Sequence, residues 1–401
     1  MRAAAPLSPE IRILLAARGV RALADGLVSL VLPVYLLALG YGAVEAGLIA
    51  TATLSGSALL TLGIGLVAHR APARALLLGV SALMILTGLA FASLSAFWPL
   101  VLVSFVGTLN PSGGDVSAFL PLEQARLAGA GGMVDRTRLF ARYSFVGAIG
   151  AAIGALGAGL LDAAVALAGM EFTTACQAVF GLYALAGAGV LLLYARLPDA
   201  EPGPGEARVP LGPSRGVVVR LAALFSLDSF AGGFVVQSLL ALWLLERFDL
   251  SLAAAGKIFF WTGLLSALSY FVAARLSERI GLVNTMVFTH LPANLCLLLV
   301  PFAPDLWSAL ALLLVRSALA QMDVPTRTAF VMQVVTPGER AAAASFTAVP
   351  RSLAAAASPA LAGALMAASG FGWPLVIAGG LKIAYDLLLL RMFRSARGPD
   401  R

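Results

Sequence analysis

The sequence consists largely of twelve apolar runs, each near or above the ~20 residues that an α-helix needs to cross a ~30 Å hydrocarbon core. Only 12% of the residues are charged and 60% are hydrophobic, whereas a soluble domain carries about 25% charged residues. The sequence therefore predicts an all-α integral membrane protein with twelve transmembrane helices. The runs cover residues 13–39, 46–68, 75–95, 98–120, 139–161, 173–195, 217–245, 253–274, 283–302, 306–331, 342–368 and 372–391.

Several other classes of protein do not fit these residues. A net charge of +7 could suit a nucleic-acid binder, but the arginines lie in short segments between the runs rather than on one polar face. The two cysteines and two histidines give no disulfide framework and no metal-ligand spacing. The sequence contains no P-loop motif and no Ser/His/Asp arrangement. We therefore expect no enzyme activity, no cofactor, no metal and no nucleic-acid partner.

Basic residues are unequally divided between the two sets of inter-helix segments. If the N-terminus is cytoplasmic, the opposite loops hold only Arg247 and Lys257 as basic residues and carry mainly acidic ones. Loops rich in lysine and arginine stay in the cytoplasm. The predicted location is the inner (plasma) membrane, with both termini cytoplasmic.

A segment rich in proline and glycine divides the chain near its middle. Residues 197–214 contain five prolines and three glycines, a composition too polar and too broken to span a membrane. The predicted domains are an N-terminal six-helix bundle over residues 1–196, a cytoplasmic linker over residues 197–216 and a C-terminal six-helix bundle over residues 217–401.

The two predicted bundles repeat each other at a nearly constant sequence offset. Asp25 corresponds to Asp228, and Arg142 corresponds to Arg351. In the same way Asp115 and the following valine correspond to Asp323 and the valine after it. Two similar six-helix bundles with a path between them are typical of secondary transporters that work by alternating access.

The loops after the second and eighth predicted helices share a motif. Residues 65–74 read G-L-V-A-H-R-A-P-A-R, and residues 274–281 form a second copy. Both resemble the G-x-x-x-D-R-x-G-R loop of the major facilitator superfamily, with His69 in place of the acid in the first copy. Over the whole chain the resemblance implies that family's fold and the transport of a small molecule. It also implies a cytoplasmic gating role for Gly65, Arg70, Arg74, Glu278, Arg279 and Gly281.

The fifth predicted helix is rich in glycine between Gly147 and Gly159. Small residues let membrane helices approach each other closely. Two interpretations stay open: tight packing alone, or a resemblance to the family's antiporter motif, G-x-x-x-G-P-x-x-G-G, which seals the outer side of exporters. The proline of that motif is missing here.

Charged residues inside the apolar runs are candidates for a substrate and proton pathway, because a charge at bilayer depth is usually kept only where it faces a cavity, a partner or an ion path. Asp25 lies four residues after Arg21, so it either forms a local ion pair or faces the central cavity. Asp115 follows a helix-breaking run that begins at Asn110. Freed backbone groups there could bind a ligand, or Asp115 caps the next segment.

Four further charged residues are candidates for the substrate pathway. Arg316 and Asp323 are seven residues apart, which places them on one face of the tenth helix; they either bind substrate or pair with other helices. Arg142 and Arg351 begin their helices and could bind substrate or form gating contacts. The complete candidate pathway comprises Asp25, Asn110, Asp115, Arg142, Asp228, Gln237, Arg316, Asp323 and Arg351.

The last predicted helix carries Lys382 and Asp386, four residues apart. Since residues at this spacing are neighbours on a helix, we expect the two charges to neutralise each other. His290 is interpreted as an ordinary hydrogen-bonded residue, with a proton relay as the alternative.

The predicted function is secondary active transport of a small molecule, coupled to protons through Asp25 or Asp228. The glycine-rich fifth helix favours efflux of a partly apolar compound by antiport. One alternative is proton-coupled or facilitated uptake of a small solute or organic anion, held by Arg142, Arg316 and Arg351. Another is a non-transporting membrane sensor. We expect a monomer whose partners are the substrate, protons and the lipid bilayer.

Overall fold

A computed structural model of the chain describes residues 7–67, 71–112, 117–129, 133–198 and 212–393. Within those ranges every regular element is helical, and two short 3-10 segments, Val300–Phe302 and Pro337–Glu339, accompany the α-helices. The α-helices are α1 (Pro9–Ala38), α2 (Ala43–Val67), α3 (Ala73–Ser93), α4 (Phe97–Val106), α5 (Phe119–Gly129), α6 (Met133–Gly157), α7 (Leu160–Ala168), α8 (Phe172–Ala195), α9 (Arg215–Gly233), α10 (Gln237–Phe248), α11 (Leu252–Ile280), α12 (Leu282–Leu299), α13 (Leu306–Ala320), α14 (Asp323–Val334), α15 (Arg340–Ala357), α16 (Pro359–Ala368) and α17 (Trp373–Phe393).

These helices form twelve transmembrane spans in two pseudo-symmetric six-helix bundles. Ten helical stretches in the described ranges are long and apolar enough to cross a membrane. The other two spans are interrupted: the fourth consists of α4, a break and α5, and the eleventh consists of α15 and α16. The predicted linker, residues 197–216, lies mostly outside the described residues.

Local sequence explains why several predicted runs are divided. The eleventh run is divided at Ser358, and Pro359 begins α16. Proline has no N–H with which to continue the hydrogen bonds of α15. The tenth span ends as α13 at Ala320 and restarts as α14 at Asp323. The helix on which Arg316 and Asp323 were predicted to share a face is thus interrupted at Gln321 and Met322, and the shared face stays a prediction.

Helix packing repeats between the bundles. In the N-terminal bundle, α1 packs on α6 and α8, and α3 packs on α8; in the C-terminal bundle, α9 packs on α15 and α17, and α12 packs on α17. The bundles meet where α6 contacts α11 and where α2 contacts α15 and α16. This arrangement leaves the faces of α1, α6, α11 and α15 around the centre of the molecule.

Glycines allow the closest of these approaches. A Cβ on Gly154 of α6 would overlap the backbone carbonyl of Leu23 on α1, and one on Gly26 would overlap that of Ala151. Close packing by the glycine-rich helix is thus confirmed, and its resemblance to the antiporter motif stays a prediction. Between the bundles, a Cβ on Gly47 would lie 2.5 Å from the carbonyl oxygen of Pro359. We call the membrane face at which α1 begins, with Pro9, the terminal face. The opposite membrane face is called the far face. Gly47, near the start of α2, lies toward the far face.

Candidate functional site

A cavity of about 370 Å³ lies between the two bundles. Arg18 and Asp25 line it from the N-terminal bundle, and Tyr270 and Arg351 line it from the C-terminal bundle. A second cavity of about 210 Å³ adjoins it and is lined by Arg316. The two cavities share the lining residues Ser112, Gln237, Phe259, Gly263, Ser266 and Gln321.

Helix breaks bring polar groups to this centre. The chain is non-helical between α9 and α10, and Gln237 at the start of α10 donates from Nε2 to the Ser29 hydroxyl at 2.9 Å, across the two bundles. Asn110 is buried in the break after α4, where its Oδ1 accepts a 3.0 Å hydrogen bond from the Ser112 N–H. Such a local bond mimics a backbone turn. Asp115 lies outside the described residues.

Asp25 is the acidic side chain among the described lining residues of these cavities. It is 7% exposed, and it lies near the Tyr183 hydroxyl, which donates to the Thr108 carbonyl at 3.0 Å. Arg21 and Arg18 act on this carboxylate electrostatically, but the guanidinium of Arg21 forms its ion pair with Glu123 instead. The structure thus places Asp25 at the cavity, while its role in transport stays a prediction.

Glu123 is a fully buried carboxylate that the sequence analysis did not select. It pairs with Arg21 of α1, accepts a hydrogen bond from the Tyr143 hydroxyl, and accepts another from the Tyr194 hydroxyl at 2.6 Å. Arg21 also lies over the ring of Phe119, with 4.1 Å between the guanidinium carbon and the ring centroid. We call these five residues the N-terminal charge cluster. It joins α1, α5, α6 and α8.

A second buried group lies within the C-terminal bundle. Asp228 on α9 accepts a 2.6 Å hydrogen bond from Lys382 Nζ on α17 and lies 3.4 Å from Arg327 Nη1 on α14. Arg327 also pairs with Asp323, the first residue of α14. The expected neutralisation of Lys382 by Asp386 is therefore wrong, because Lys382 pairs with a different helix.

His290 on α12 lies between two carboxylates of this group. Its Nδ1 is 2.9 Å from Oδ1 of Asp386, and its Nε2 is 3.9 Å from Oδ1 of Asp228. Asn294 donates from Nδ2 to Oδ2 of Asp386 at 2.9 Å. The expectation that His290 is hydrogen-bonded is confirmed. We call the following residues the C-terminal charge cluster: Asp228, His290, Asn294, Asp323, Arg327, Lys382 and Asp386.

The arginines predicted for the pathway lie in different surroundings. Arg351 lines the larger cavity and donates from Nε to the Ser229 hydroxyl at 3.3 Å. Arg316 lines the smaller cavity, and no carboxylate among the described residues pairs with it. Arg142 is exposed on α6, away from the described lining of both cavities. Direct contact of Arg142 with substrate thus has no support from its position.

The predicted gating loops lie at the terminal face. Gly65 is exposed near the end of α2, and Arg74 donates from Nη2 to the Ala195 carbonyl at 2.7 Å. Glu278 and Arg279 are exposed at the end of α11, which Gly281 terminates with a φ of +85°. Arg70 and His69 lie outside the described residues. The gating role of this set stays a prediction.

Comparisons of the sequence with a family model and with one known protein each match nearly the whole chain. The sequence model of the Major Facilitator Superfamily matches residues 14–315 and 221–401. An uncharacterized membrane protein of Saccharomyces cerevisiae, YJR124C, is 25% identical over 423 residues, which cover 96% of this chain and 94% of that protein. In the described ranges no group of three potential metal-ligating side chains comes together.

Solved structures with the same fold include two transporters. The xylose transporter XylE from E. coli, in an inward-open conformation, superposes with a TM-score of 0.77 at 14% identity and covers 98% of both chains. A bacterial homolog of the human lysosomal transporter Spinster gives a TM-score of 0.75 at 15% identity and also covers 98% of both chains. At these identities the likeness shows the fold alone.

Proposed function

The chain belongs to the Major Facilitator Superfamily of membrane transporters, and from that premise we propose that it exports a small, partly apolar compound in exchange for protons. The observation that carries the proposal is the cavity of about 370 Å³ between the bundles, with Asp25 in its lining. Cavities of this size hold small molecules. Polar groups such as Gln237 would orient the substrate, and Phe259 would contact its apolar part.

Alternating access requires the bundles to part at each face in turn. On the far face the bundles are held by close contacts: Gly47 against Pro359, and the Ala253 N–H of α11 donating to the Asp162 carboxylate at 3.1 Å. These contacts would have to break when the cavity opens to that face. Under the predicted orientation the far face is outside, and the loops around Arg74 and Arg279 would gate the cytoplasmic side.

Proton coupling is assigned to a carboxylate at the cavity. Protonation of Asp25 would remove a negative charge that faces Arg18 and Arg21. Substrate and proton are coupled when both bias the same two-state equilibrium between the open conformations, and this coupling is reciprocal. A proton arriving from outside would then favour release of the substrate there.

A second candidate is proton-coupled or facilitated uptake of a small organic anion. The observation that favours it is the charge of the described cavity lining, which holds Arg18, Arg316 and Arg351 against Asp25. An arginine can hold a carboxylate through two parallel hydrogen bonds. Counterflow of a labelled compound would separate either transporter from a non-transporting sensor of the same fold, because a sensor would bind the compound without exchanging it.

The test uses Asp25→Asn in proteoliposomes. The probe is whichever compound most raises the melting temperature of the purified protein in a screen of metabolites and drugs. We expect the ratio of gradient-driven transport to exchange without a gradient to fall by roughly tenfold, the size of a typical coupling. The matched control is Asp305→Asn, because Asp305 is an exposed N-cap of α13 and asparagine caps as well as aspartate. An unchanged ratio in Asp25→Asn would exclude this residue.

A further inference from the structure

The smaller of the two cavities has one ionisable side chain in its described lining, the guanidinium of Arg316. Arg316 lies on α13, and its buried Nε has no hydrogen-bond partner among the described residues. In the same part of the chain the ionisable group that acts on it is the Cys296 thiol, and no carboxylate does. A buried charge without a counter-charge is costly. Helix packing therefore does not account for an arginine at this position.

The other two arginines that line the cavities have partners of their own. Arg351 donates from Nε to the Ser229 hydroxyl at 3.3 Å, and two carboxylates of the C-terminal charge cluster act on it. Arg18 acts electrostatically on the carboxylate of Asp25. Within the described lining, Arg316 is thus the arginine whose charge is left for a ligand.

Three other polar side chains in this lining already donate hydrogen bonds within the protein. Thr262 and Ser266 on α11 each donate to a backbone carbonyl at 3.2 Å, and Gln237 donates across the bundles at 2.9 Å. Gln321, which follows α13 directly, accepts a 3.4 Å hydrogen bond at Oε1, so the group that it can offer a ligand is the Nε2 donor. A ligand in this cavity would thus meet the charged donors of Arg316 together with the amide of Gln321.

The same cavity also has apolar walls. They are formed by Val235, Leu240, Leu244, Ile258, Phe259 and Leu313. The cavity has a volume of about 210 Å³, and an engineered apolar cavity of about 150 Å³ is large enough to hold benzene. A compound the size of one aromatic ring with a carboxylate therefore fits here. One cation matches one negative charge, whereas a dianion would leave a buried charge uncompensated.

We propose that Arg316 is an anion-binding subsite of this transporter, which takes the carboxylate of a small, otherwise apolar compound. An arginine holds a carboxylate through two parallel hydrogen bonds. The Gln321 amide would add a third donor, and the apolar body would lie against Phe259 and its apolar neighbours. This substrate class rests on the proposed transport function and suits either direction of transport, whereas carboxylate binding at Arg316 does not depend on that function.

The test compares three compounds of the same shape and different charge. Benzoate, benzamide and benzamidine are an anion, a neutral molecule and a cation at neutral pH. Each is titrated against the full chain in detergent, with ligand-observed NMR to measure the dissociation constant and empty micelles as the blank. We expect benzoate to bind roughly tenfold more tightly than benzamide, because hydrogen bonds between charged groups are stronger than neutral ones, and benzamidine to bind most weakly. Benzoate that binds no more tightly than benzamide would overturn the proposal.

Substitutions then locate the anion. Arg316→Gln should weaken the binding of benzoate roughly tenfold and leave that of benzamide unchanged, so that the preference for the anion disappears. Arg316→Lys keeps the charge but lacks the planar fork, so we expect an intermediate loss. The control is Arg247→Gln, the same change at an exposed residue in the last turn of α10, which should bind as the parent does. If Arg351→Gln abolishes the preference and Arg316→Gln does not, the anion lies in the larger cavity and the proposal is wrong.

Unfolding of the unliganded protein separates this role from a structural one. Arg327 on α14 is buried and pairs with Asp323, so Arg327→Gln should lower the melting temperature. Arg316 has no such pair in the described ranges, and Arg316→Gln should melt at or above the temperature of the parent. Saturating benzoate should raise the melting temperature of the parent but not that of Arg316→Gln. A fall in unliganded Arg316→Gln as large as that in Arg327→Gln would contradict the proposal, because it would show that the guanidinium has a structural partner.

These measurements need neither a proton gradient nor transport. Absence of the charge preference would therefore reject the subsite and leave the Asp25 assay intact, since that assay uses whichever compound the melting-temperature screen selects. Conversely, a carboxylate preference that depends on Arg316, in a protein whose transport ratio is unchanged by Asp25→Asn, would reject proton coupling through Asp25 while the subsite stands.

Discussion

Two equivalent helix contacts, α3 with α8 and α12 with α17, have opposite chemistry. In the N-terminal bundle Gly187 lies against Ile85, where an added Cβ would be 3.1 Å from the Ile85 backbone nitrogen. In the C-terminal bundle the α12–α17 contact holds Asp386 and Asn294, which are hydrogen-bonded at 2.9 Å. The same crossing is thus apolar and closely packed in one half and ionic in the other.

This difference shows that one such crossing forms without a buried ion pair. A buried aspartate is costly in a membrane, and Asp386 is retained together with its polar neighbours His290 and Asn294. The N-terminal bundle has its own buried carboxylate, Glu123, but there the partners are an arginine and two tyrosines. We infer that the N-terminal charge cluster stabilises its bundle, whereas a role of the C-terminal charge cluster in transport stays a prediction.

The largest expected effect tests the structural half of this comparison. Glu123→Leu leaves the buried guanidinium of Arg21 without its carboxylate, and breaking such a pair costs about 3–5 kcal/mol of unfolding free energy. The control is Glu10→Leu, because the Glu10 side chain is 27% exposed to water and Arg126 keeps its 2.9 Å bond to the Pro198 carbonyl. We expect this variant to lose about 1 kcal/mol, because one member of the pair contacts water. Denaturant titration in micelles measures both, and equal losses would reject the structural role of Glu123.

The next effect concerns the apolar crossing itself. Gly187→Val places side-chain atoms against Ile85 and Met84, and we expect overpacking to cost about 1–3 kcal/mol. Gly189 lies on the same helix, and an added Cβ there meets nothing within 4 Å. Gly189→Val is therefore the matched control and should stay close to the parent. If both variants unfold at the same denaturant concentration, the close α3–α8 contact does not contribute to stability.

The architecture could be predicted from the sequence because membrane thickness sets the length of each apolar run. The positions of Asp25 and Gln237 within their apolar runs also indicated that both side chains lie near the centre of the membrane. The ion-pair partners of charged side chains could not be predicted, because residue spacing identifies only neighbours on the same helix. Lys382 pairs with Asp228, 154 residues away, instead of Asp386. Glu123 was missed because it follows the broken fourth run, and its partner Arg21 is 102 residues away.

The smallest expected effect concerns one polar contact in each bundle near the terminal face. In the N-terminal bundle this contact is the ion pair of Glu10 with Arg126. In the C-terminal bundle Glu339 accepts hydrogen bonds from Ser214, from the Gly212 N–H and from the Thr336 hydroxyl. The bonds from Ser214 and Gly212 hold the pKa of Glu339 down to about 2, from an ordinary 4.5.

Because its pKa is lowered in the folded state, ionised Glu339 stabilises the protein above about pH 4.5, and this contribution is lost as the pH falls toward 2. Glu339→Gln should therefore unfold more easily than the parent at pH 7, and the difference should shrink between pH 4.5 and pH 2. The Glu10–Arg126 ion pair should instead weaken modestly with added salt, since ions reach the partly exposed carboxylate of Glu10. Denaturation curves of Glu339→Gln and Glu10→Leu, each compared with the parent at several pH values and salt concentrations, separate the two. If the loss of unfolding free energy in Glu339→Gln were independent of pH, the hydrogen bonds that Glu339 accepts would not depend on its negative charge.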